Sequence, residues 1–596
     1  MKIKHLLTIL IFGPALVLAL IWLLGRTPDG VLAQAGTGVI RVDDATGTDT
    51  SGCGDAATPC KTIQYAVDQA QPGDEIHVAT GVYTGVQGRP VPAGYPNGPA
   101  GGLITQVVYI SKTVTVRGGY TTADWDTFDP DANPTTLDAQ GLGRVMVIAG
   151  EISPTVEGLL LTGGDAAGLG GTQWTGQDGG GGMYVISATA TITNNRVFSN
   201  TTDDGGGLFL WHSPSTLSGN TVYSNSVNKN GGGLYLWYSD ATLGGNTIST
   251  NTATDLGGGL YLYSSAATLD GNTISANAVN MGGGLYLDNS PATLSGNTIS
   301  ANTANNDGGG LYLFSSAATL SGNTVSSNTA DNGGGLHLHD SAATLNGNTI
   351  FSNTATSDGG GLYLYSSAAM LGGNTVLSNT ANRDGGGLFL DESDITLTNT
   401  VIADNRADGI GSGLYAMVSS PRLLHTTIAR NTGGDGSGVR LLNSTAVLTN
   451  TILVSHTVGI TVAAGCAATL ESTLWATGTA WANVNNTGGG GTINTNHDYG
   501  GDPAFVNPNV GDYHIALGSA AVDKGVDAGV PTDKDGVPRP QGPAPDLGAY
   551  EVEQLAPVGG VTVPVDRPAA WPWLALSAVA AVGVVGAAAL LRRRRV

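Results

Sequence analysis

Three observations predict an all-β fold in which short strands wind around one axis as a parallel β-helix. A Gly-Gly-Gly-Leu-Tyr-Leu motif returns every 25 or 26 residues through the middle of the chain. Each repeat holds three short runs with strand-like alternation or β-branched residues, separated by Gly, Asn and Ser. No window has apolar residues at helical spacing. We therefore predict three short strands in each 25–26-residue coil.

The repeat keeps its register over the whole central region, which is the pattern of a solenoid. In one copy the three predicted strands are Leu260-Tyr261-Leu262-Tyr263, Thr268-Leu269 and Thr273-Ile274. Successive coils of a parallel β-helix advance by ~4.8 Å, the spacing of hydrogen-bonded strands. The third glycine of the motif, or of its weaker Gly-Ser-Gly form, is found at Gly182, Gly207, Gly233, Gly259, Gly284, Gly310, Gly335, Gly361, Gly387, Gly413 and Gly438.

Stacking the coils converts sequence columns into rows. Three apolar columns are predicted to fill the interior, and they begin with Leu208, Leu217 and Val222. Leu311→Asp is therefore expected to prevent folding of the central coils, whereas Tyr312→Ser, on the outward side, is expected to cost little. Two asparagine columns, which include Asn246 and Asn251, are predicted to form amide ladders at the corners between strands.

The composition excludes a nucleic-acid partner. The chain has 596 residues, a formal net charge of −22, and no basic stripe that could neutralise phosphates. Residues 1–35 are predicted to be a secretion signal, because basic residues precede an apolar run and Ala33-Gln34-Ala35 offers a cleavage site. The run is long for a signal peptide, so an uncleaved anchor is the alternative.

The chain is divided by these patterns into consecutive regions. Residues 36–178 are predicted to be an N-terminal cap with the first coils, residues 179–484 the repeat β-helix, and residues 485–554 a C-terminal tail domain. A short capping helix is expected to cover the open end of the core with one apolar face, formed by Ile63, Ala66, Val67 and Ala70.

The three cysteines and the C-terminus fit an exported protein. Cys53 and Cys60 bracket a short loop and are expected to form a disulfide, while Cys466 has no obvious partner. Residues 555–568 are predicted to be a linker, 569–591 a transmembrane helix of uncharged residues, and 592–596 a basic cytoplasmic tail. The predicted location is a membrane anchor with the body outside the cytoplasm, at the cell surface.

Several motifs resemble known families. Pro59-Cys60-Lys61-Thr62-Ile63-Gln64, followed by Pro72-Gly73-Asp74, resembles the opening of right-handed parallel β-helix proteins of the pectate-lyase-like superfamily. The repeats are similar to those of polymorphic outer-membrane proteins, although Phe-Ser-Asn occurs only at Phe198 and Phe351. These resemblances imply a right-handed β-helix at a surface, and the departures from the repeat pattern leave a specific adhesin role unsupported.

The C-terminal region has motifs of its own. They resemble the tail domain of "choice-of-anchor" surface proteins, in which the tail closes the β-helix and precedes a variable anchor. The motifs are Asp502-Pro503-Ala504-Phe505, Asp512-Tyr513, Gly518-Ser519-Ala520-Ala521-Val522-Asp523, Pro538-Arg539-Pro540 and Asp546-Leu547-Gly548-Ala549-Tyr550-Glu551.

A double column of aromatic residues is the candidate binding site. One column follows the first interior leucine of each coil, the other lies two residues further on, and both are predicted to be exposed on one sheet. Ring faces along a groove suit sugars or a partner protein; the alternative is that stacked rings only stabilise neighbouring coils. The stripe comprises Trp211, Tyr235, Trp237, Tyr261, Tyr263, Tyr286, Tyr312, Phe314, Tyr363 and Tyr365.

A column of acidic and amide residues precedes the glycines and is the candidate metal site. Asp307, Asp358 and Asp384 belong to it, and stacked carboxylates could hold Ca²⁺, although Asx-turns explain the same residues without a metal. His337, His339 and Asp340 are a further, weaker set of ligands for a transition metal. Apart from Ca²⁺, no cofactor is predicted.

The predicted function is that of a non-catalytic, membrane-anchored β-solenoid at the cell surface, serving adhesion or binding. Its expected partners are a surface polysaccharide or another cell-surface protein. The alternative is a polysaccharide lyase or glycoside hydrolase on the same fold. The stripe argues against this alternative, because its acids Asp288 and Asp391 are four coils apart and no Lys or Arg lies on its two columns between Phe209 and Tyr415.

Overall fold

The structure, a computed structural model, describes residues 38–553. The predicted signal peptide, the linker, the transmembrane helix at 569–591 and the basic tail lie outside the described residues. Within residues 38–553, no helix is long and apolar enough to cross a membrane. The fold described below therefore concerns the cap, the coils and the tail domain.

One short α-helix, α1 (Ile63–Gln69), lies near the start of the described chain. The hydroxyl of Thr62 accepts a hydrogen bond from the Tyr65 N–H at 3.2 Å and caps its N-terminus. A disulfide joins Cys53 and Cys60, as predicted. The predicted apolar face of the helix is confirmed, because it contributes to the main core the side chains of Ile63, Ala66, Val67 and Ala70.

A sixteen-stranded sheet carries the aromatic columns and is called the aromatic sheet below. Its first pair, Gln87–Pro90 and Leu103–Ile110, is antiparallel, and each later coil adds one parallel strand. The further strands are Arg144–Ala149, Met183–Ile186, Leu208–Trp211, Leu234–Trp237, Leu260–Tyr263, Leu285–Asp288, Leu311–Phe314, Leu336–His339, Leu362–Tyr365, Leu388–Asp391, Leu414–Met417, Ser437–Leu442, Val458–Val462 and Asn485–Gly489.

A thirty-stranded sheet holds the other two strands predicted for each coil. The short strands of one coil pair in parallel register with those of the next, for example Thr242–Gly244 with Thr268–Asp270. Its strands are Val39–Val42, Glu75–Ala79, Gly81–Tyr83, Thr115–Tyr120, Thr135–Asp138, Thr155–Glu157, Leu159–Thr162, Thr191–Thr193, Arg196–Phe198, Thr216–Ser218, Thr221–Tyr223, Thr242–Gly244, Thr247–Ser249, Thr268–Asp270, Thr273–Ser275, Thr293–Ser295, Thr298–Ser300, Thr319–Ser321, Thr324–Ser326, Thr344–Asn346, Thr349–Phe351, Met370–Gly372, Thr375–Leu377, Thr396–Thr398, Val401–Ala403, Arg422–Leu424, Thr427–Ala429, Thr445–Val454, Ala467–Leu474 and Thr492–Tyr499.

The central coils have a fourth strand that the sequence pattern did not predict. Most of its copies are only two residues long, which is too short to show an alternating pattern. These strands form a nine-stranded sheet and are Thr201–Asp204, Ser226–Asn230, Thr252–Ala253, Ala278–Val279, Thr303–Ala304, Thr329–Ala330, Thr354–Ala355, Thr380–Ala381 and Arg406–Ala407.

The interior matches the three predicted apolar columns. Leu208, Leu217 and Val222 are buried, and they belong to one hydrophobic cluster that runs through the coils. Because all strands of a column are in register, each interior side chain packs against its equivalents in the coils before and after it, as Leu234 does between Leu208 and Leu260. The core is thus built by stacking, and a single coil could not form it.

The predicted amide ladders are also confirmed. The side-chain Nδ2 of Asn246 donates to Oδ1 of Asn272 at 2.9 Å and to the carbonyl of Leu217 at 2.9 Å. The backbone N–H of Asn246 donates to the same Asn272 oxygen at 2.9 Å. Each buried asparagine therefore satisfies both its own amide and corner backbone groups of the neighbouring coils, which is what a buried turn requires.

A serine ladder runs beside these amides and was not predicted. The hydroxyl of Ser239 donates to the carbonyl of Leu210 at 3.1 Å and accepts the backbone N–H of Ser213 at 2.9 Å. The column ends at Cys466, whose sulfur takes the place of the hydroxyl and lies 3.4 Å from the N–H of Ser444. The sequence signal was a serine at the repeat period, two residues after each aromatic-sheet strand from Leu208–Trp211 to Ser437–Leu442.

The C-terminal region differs from the expectation that a tail domain closes the β-helix. Residues 485–499 still form coil strands, which pair with Val458–Val462 and Ala467–Leu474. The following residues form a two-stranded hairpin, Phe505–Asn507 and Asp512–Ile515, with a 3₁₀-helix, Pro508–Val510, between the strands. This tail packs on the outer surface of the thirty-stranded sheet through a cluster of Val401, Ala403, Ala429, Ile452, Val454, Tyr513, Ile515, Ala521, Leu547, Ala549 and Tyr550.

Candidate functional site

The first column of the predicted stripe faces away from the main core, but its rings are not exposed. This is a correction to the predicted surface: the rings form a hydrophobic cluster of their own, in which Tyr312 is 5% exposed. Tyr286 and Tyr312 stack at a centroid distance of 4.8 Å, so most ring surface is used between coils. Buried members of this column include Phe209, Tyr235, Tyr261, Tyr286 and Tyr312, whereas Tyr363 is half-buried.

The glycine motif explains this burial. Gly257, the first glycine of its motif, has a φ of 65°, which favours glycine, and a Cβ built on it would lie 2.9 Å from the Cβ of Tyr261. The turn before the strand therefore folds against the aromatic side chain that follows it. Leu256 and Met281, which precede two such motifs, pack against the same rings. The turn and the ring column are one packed unit.

The second column of the stripe is only partly accessible. Trp211 and Trp237 are 9% and 4% exposed, while Tyr263, Phe314 and Tyr365 are half-buried. Trp211 stacks on Trp237 at 5.4 Å with an interplanar angle of 3°, and Trp237 on Tyr263 at 4.0 Å and 6°. Because the rings stack from coil to coil, they present edges to solvent and use their faces on one another.

Two exposed aromatic side chains next to this stack were missed from the sequence. His212 and Tyr238 stack at 5.3 Å with an interplanar angle of 12°, and Tyr238 is 48% exposed. Tyr238 also meets Trp237 and Tyr263 edge-on, at 5.5 Å and 5.7 Å. We call Trp211, His212, Trp237, Tyr238 and Tyr263 the aromatic patch.

The two exposed members of the patch have a strained backbone. His212 and Tyr238 have φ values of 48° and 45°, in the left-handed region that bulky residues rarely adopt. The corresponding turn positions of the next coils are Ser264, Asn289 and Ser315. Because this column mixes residue types, no pattern in the sequence marked it. The left-handed turn recurs at the equivalent positions from Ser187 to Asn443, so it belongs to the repeat, and what distinguishes these two coils is the aromatic side chain placed there.

The ring column is interrupted at Asp288. Asp288 pairs in register with Tyr263 on one coil and with Phe314 on the next. It is half-buried, and it accepts a hydrogen bond from the Tyr261 hydroxyl at 3.1 Å. Burial raises the pKa of the Asp288 carboxyl, and the hydrogen bond from Tyr261 acts in the opposite direction. The patch thus ends beside a carboxylate.

The acids predicted as calcium ligands have protein partners. Oδ1 of Asp307 accepts the Nδ2 of Asn332 at 3.0 Å. Asp358 accepts the guanidinium Nε of Arg383 at 2.8 Å, and Asp384 accepts the backbone N–H of Ile410 at 2.8 Å. These contacts join the column from coil to coil.

The histidine and acidic side chains of the described residues do not converge on a metal centre. No group of three or more His, Cys, Asp or Glu side chains is arranged in residues 38–553 as a metal site requires. His337 lies between Tyr312 and Tyr363 in the buried ring column, with its Nδ1 3.4 Å from Oδ1 of Asp307. Its burial lowers the pKa of the imidazole. The calcium site stays a prediction from the sequence.

The acids of the aromatic sheet are not arranged as a glycosidase pair. Asp288 and Asp391 are separated by four coils, or ~19 Å, whereas paired catalytic carboxylates lie about 5 to 9.5 Å apart. The residues between them in the same column are Phe314, His339 and Tyr365. Asp288 and Asp391 are therefore too far apart to act together as such a pair.

One shallow pocket of about 540 Å³ lies between the coils and the tail. Arg430 and Asp404 form an ion pair of 2.8 Å in its wall, and the Tyr513 hydroxyl donates to Asp404 at 2.6 Å. Arg430 also donates to Oδ1 of Asn509 at 2.9 Å. These polar groups bond to one another and hold the tail against the coils. The pocket is therefore a gap in the contact between the tail and the coils.

Comparison with known proteins identifies the fold. The family model described as "Right handed beta helix region" matches residues 151–299 and 206–381. The fold is a right-handed parallel β-helix. Both matches lie among the coils, and the β-helix continues beyond them in both directions. No curated protein sequence matches the chain.

Several solved structures match the chain at low identity. The structure described as "The complex structure of XylC with xylose" is 10% identical to this chain. The match covers 62% of this chain and 84% of the XylC chain, with a TM-score of 0.29. Pectate lyase Pel9A is 13% identical, with coverages of 87% and 98% and a TM-score of 0.21. A rhamnogalacturonan lyase is 12% identical, with coverages of 76% and 86% and a TM-score of 0.13. These scores carry no argument about activity or substrate.

Proposed function

We propose that this protein is a non-catalytic, membrane-anchored β-helix at the cell surface, and that it binds polysaccharide through the aromatic patch. The observation that carries the proposal is Tyr238, which is 48% exposed and stacked on His212, at a left-handed backbone position that disfavours its bulky side chain. A residue in this region costs of order 1–3 kcal/mol. Exposed aromatic rings gain little from folding alone, so their retention favours a binding role.

The patch combines what recognition of an extended polymer needs. Its rings come from three successive coils, so the site runs along the β-helix axis. Ring faces and edges contact the apolar face of a sugar, while nearby turn residues such as Ser264 and Asn289 supply hydrogen-bonding groups. A groove that follows the axis suits a chain molecule better than a compact ligand.

The non-catalytic part of the proposal rests on the same sheet. Carbohydrate cleavage requires paired carboxylates or a base beside metal-binding acids. Along the two ring columns between Phe209 and Tyr415 the acids are isolated and no Lys or Arg occurs. The enzyme alternative has no observation on this sheet that favours it.

The binding test uses the full-length protein and one double variant, in which serine replaces both exposed aromatic residues, as it does at this position in neighbouring coils. His212→Ser with Tyr238→Ser reproduces the residue found at Ser264, so the fold should be retained. Affinity electrophoresis against a panel of neutral, acidic and amino polysaccharides should show retarded migration of the parent and none of the double variant. A matched control, Tyr223→Ser, removes a half-buried ring on the thirty-stranded sheet and copies Ser249.

Two outcomes would overturn this proposal. Unchanged retardation of the double variant would reduce the patch to scaffolding. Release of oligosaccharides from any polymer by the parent would favour the lyase or hydrolase alternative.

The surface location is proposed from the sequence. Residues 569–591 are uncharged and are followed by four arginines, and residues 1–35 have the composition of an export signal. Deleting residues 569–596 should release a folded protein from the membrane, as cell fractionation would show. Retention of the truncated protein on membranes would indicate an uncleaved N-terminal anchor instead.

A further inference from the structure

The interruption of the ring column at Asp288 creates a slot one coil wide. Tyr263 lies on the coil before it and Phe314 on the coil after it. Two coil spacings separate these residues, or ~9.6 Å. We call this space the Asp288 slot. The other coils between Trp211 and Tyr365 fill the same position with a ring, so the slot is a local feature of the column.

The walls of the slot are aromatic. The ring of Tyr263 is stacked on Trp237 at an interplanar angle of 6°, so its second face is turned toward the coil of Asp288. The half-buried side chain of Phe314 bounds the slot on the far side. A ring that contacts both walls needs about 9 Å between them, twice the shortest usual centroid distance. The two-coil spacing of ~9.6 Å is therefore close to the separation that one intervening six-membered ring requires.

The floor of the slot is a carboxylate without a cation. Oδ2 of Asp288 accepts the hydroxyl of Tyr261 at 3.1 Å, and no basic side chain in residues 38–553 forms an ion pair with Asp288. The formal net charge of −22 adds to the negative potential around it. A partly buried carboxylate between aromatic walls favours a cation, both by direct pairing and by attraction to the ring faces.

We propose that the Asp288 slot binds one amino-sugar unit of a glycan, with the sugar ring between Tyr263 and Phe314 and its ammonium group on Asp288. This inference rests on the proposed function and narrows it from polysaccharides in general to those with free amino groups. Polymers of uronic acids are excluded from the slot, because their carboxylates would meet the carboxylate of Asp288 in a partly desolvated place.

The test compares three β-1,4-linked hexasaccharides that differ only at carbon 2 of each sugar: glucosamine, N-acetylglucosamine and glucose. Calorimetric titration of the full-length protein should show the glucosamine hexamer binding about tenfold more tightly than the other two, as expected for one charge-assisted contact. Asp288→Asn keeps the shape of the side chain, and it should remove this tenfold preference while leaving the affinities for the other two hexamers unchanged.

Two further variants distinguish binding in the Asp288 slot from a general effect of the negative charge of the protein. Asp288→Tyr copies Tyr263 and Tyr365 of the same column, so it should fold, fill the slot and abolish glucosamine binding there. Asp391→Asn removes an equal charge from the same column, where Tyr365 and Met417 are the neighbours in register. This control should keep the preference.

The outcomes also separate this inference from the proposed function. Equal affinity for all three hexamers, or an equal loss of preference in Asp391→Asn and Asp288→Asn, would overturn the slot and leave the patch as a glycan site. Failure of every hexamer to bind, together with unchanged polysaccharide binding by the His212 and Tyr238 double variant, would overturn both the Asp288 slot and the proposed glycan site at the aromatic patch.

Discussion

Asp204 and Asn230 face each other on adjacent coils as a carboxyl–amide pair. Oδ1 of Asp204 accepts both the Nδ2 of Asn230, at 3.0 Å, and its backbone N–H, at 3.1 Å. Within the described chain, the buried Oδ2 of Asp204 and Oδ1 of Asn230 have no hydrogen-bond partner. Burial raises the pKa of Asp204 to about 7, against the opposing effect of the hydrogen bonds from Asn230.

This pair predicts a pH dependence of stability. Between the unfolded pKa of 3.8 and the folded pKa of about 7, the folded chain holds a proton that the unfolded chain releases, so stability falls as pH rises through this window. Asp204→Asn removes the titration and gives Asn230 Oδ1 an N–H donor. We expect the variant to unfold at higher denaturant than the parent at pH 8, with a much smaller difference at pH 4.

The control for this prediction is Asp270→Asn, an exposed carboxylate three coils further along the chain. It should shift the unfolding midpoint little at either pH, because exposed charges interact weakly in water. A parent whose midpoint is the same at pH 4 and pH 8, or an Asp204→Asn variant that is less stable at pH 8, would contradict the assignment.

Leu311 and Tyr312, adjacent residues of one strand, test which side chains of the aromatic sheet face the main core and which face outward. Leu311→Asp buries an unpaired charge in the aliphatic core and should prevent folding of the central coils. Tyr312→Ser removes stacking on Tyr286, at 4.8 Å, and a hydroxyl 3.0 Å from Nδ1 of His339. Because Tyr312 is 5% exposed, we now expect a loss of about 3 kcal/mol, and not the small loss predicted from sequence.

Thermal melts of the two variants and of Ser315→Ala, an exposed position on the same coil, would check this order. Leu311→Asp should be the most damaging and Ser315→Ala close to the parent. A Tyr312→Ser protein that melts with the parent would mean that the ring column is less buried in solution.

The period of the sequence predicted the fold because one coil repeats in register. A column such as Leu208, Leu234 and Leu260 can face only one way when every strand pairs with its equivalent. The repeat period did not predict how much of each outward-facing column is exposed to solvent. Tyr261 is buried by the turn at Gly257, a contact between positions four residues apart that alternation alone does not reveal.

The candidate site was harder to predict because it consists of departures from the repeat. Tyr238 and His212 are the aromatic residues of a turn column that otherwise mixes serine, asparagine, acidic residues and Val418, and Asp288 interrupts a column of rings. Because the repeat is recognised from positions that recur, a residue that departs from it in one or two coils gives no periodic signal. Only the exposed side chains of His212 and Tyr238 distinguish the patch from the scaffold rings beside it, since Trp237 is as buried as Tyr312.

Cys466 tests the serine ladder. Cys466→Ser places at the last position the hydroxyl that the other members of the column use, and it should change stability by less than about 1 kcal/mol. Cys466→Val has a similar volume but leaves the N–H of Ser444 buried without an acceptor, which costs about 1–3 kcal/mol. Chemical unfolding of the two variants gives the comparison, and a valine variant more stable than the serine variant would show that the thiol acts only as an apolar filler.

Within the tail, Arg539 and Glu551 form a buried ion pair of 2.8 Å, with side chains 1% and 0% exposed. Arg539 also donates to the carbonyls of Asp546, at 3.0 Å, and Gly548, at 2.9 Å. Arg539→Met leaves the Glu551 carboxylate buried and unpaired, a loss of about 3–5 kcal/mol. We expect residues 500–552 to become sensitive to protease while the coils, which have their own ladders, resist.

A compensating change makes this prediction specific. Arg539→Met combined with Glu551→Gln removes the buried charge altogether, so it should recover part of the protease resistance that the single variant loses. Arg406→Met, which breaks an exposed ion pair with Asp408, should leave the tail resistant because such pairs contribute little. If the single Arg539 variant resists protease as the parent does, the tail is held by its apolar contacts with Val401, Ala429 and Ile452, and the ion pair serves only to satisfy its own buried charges.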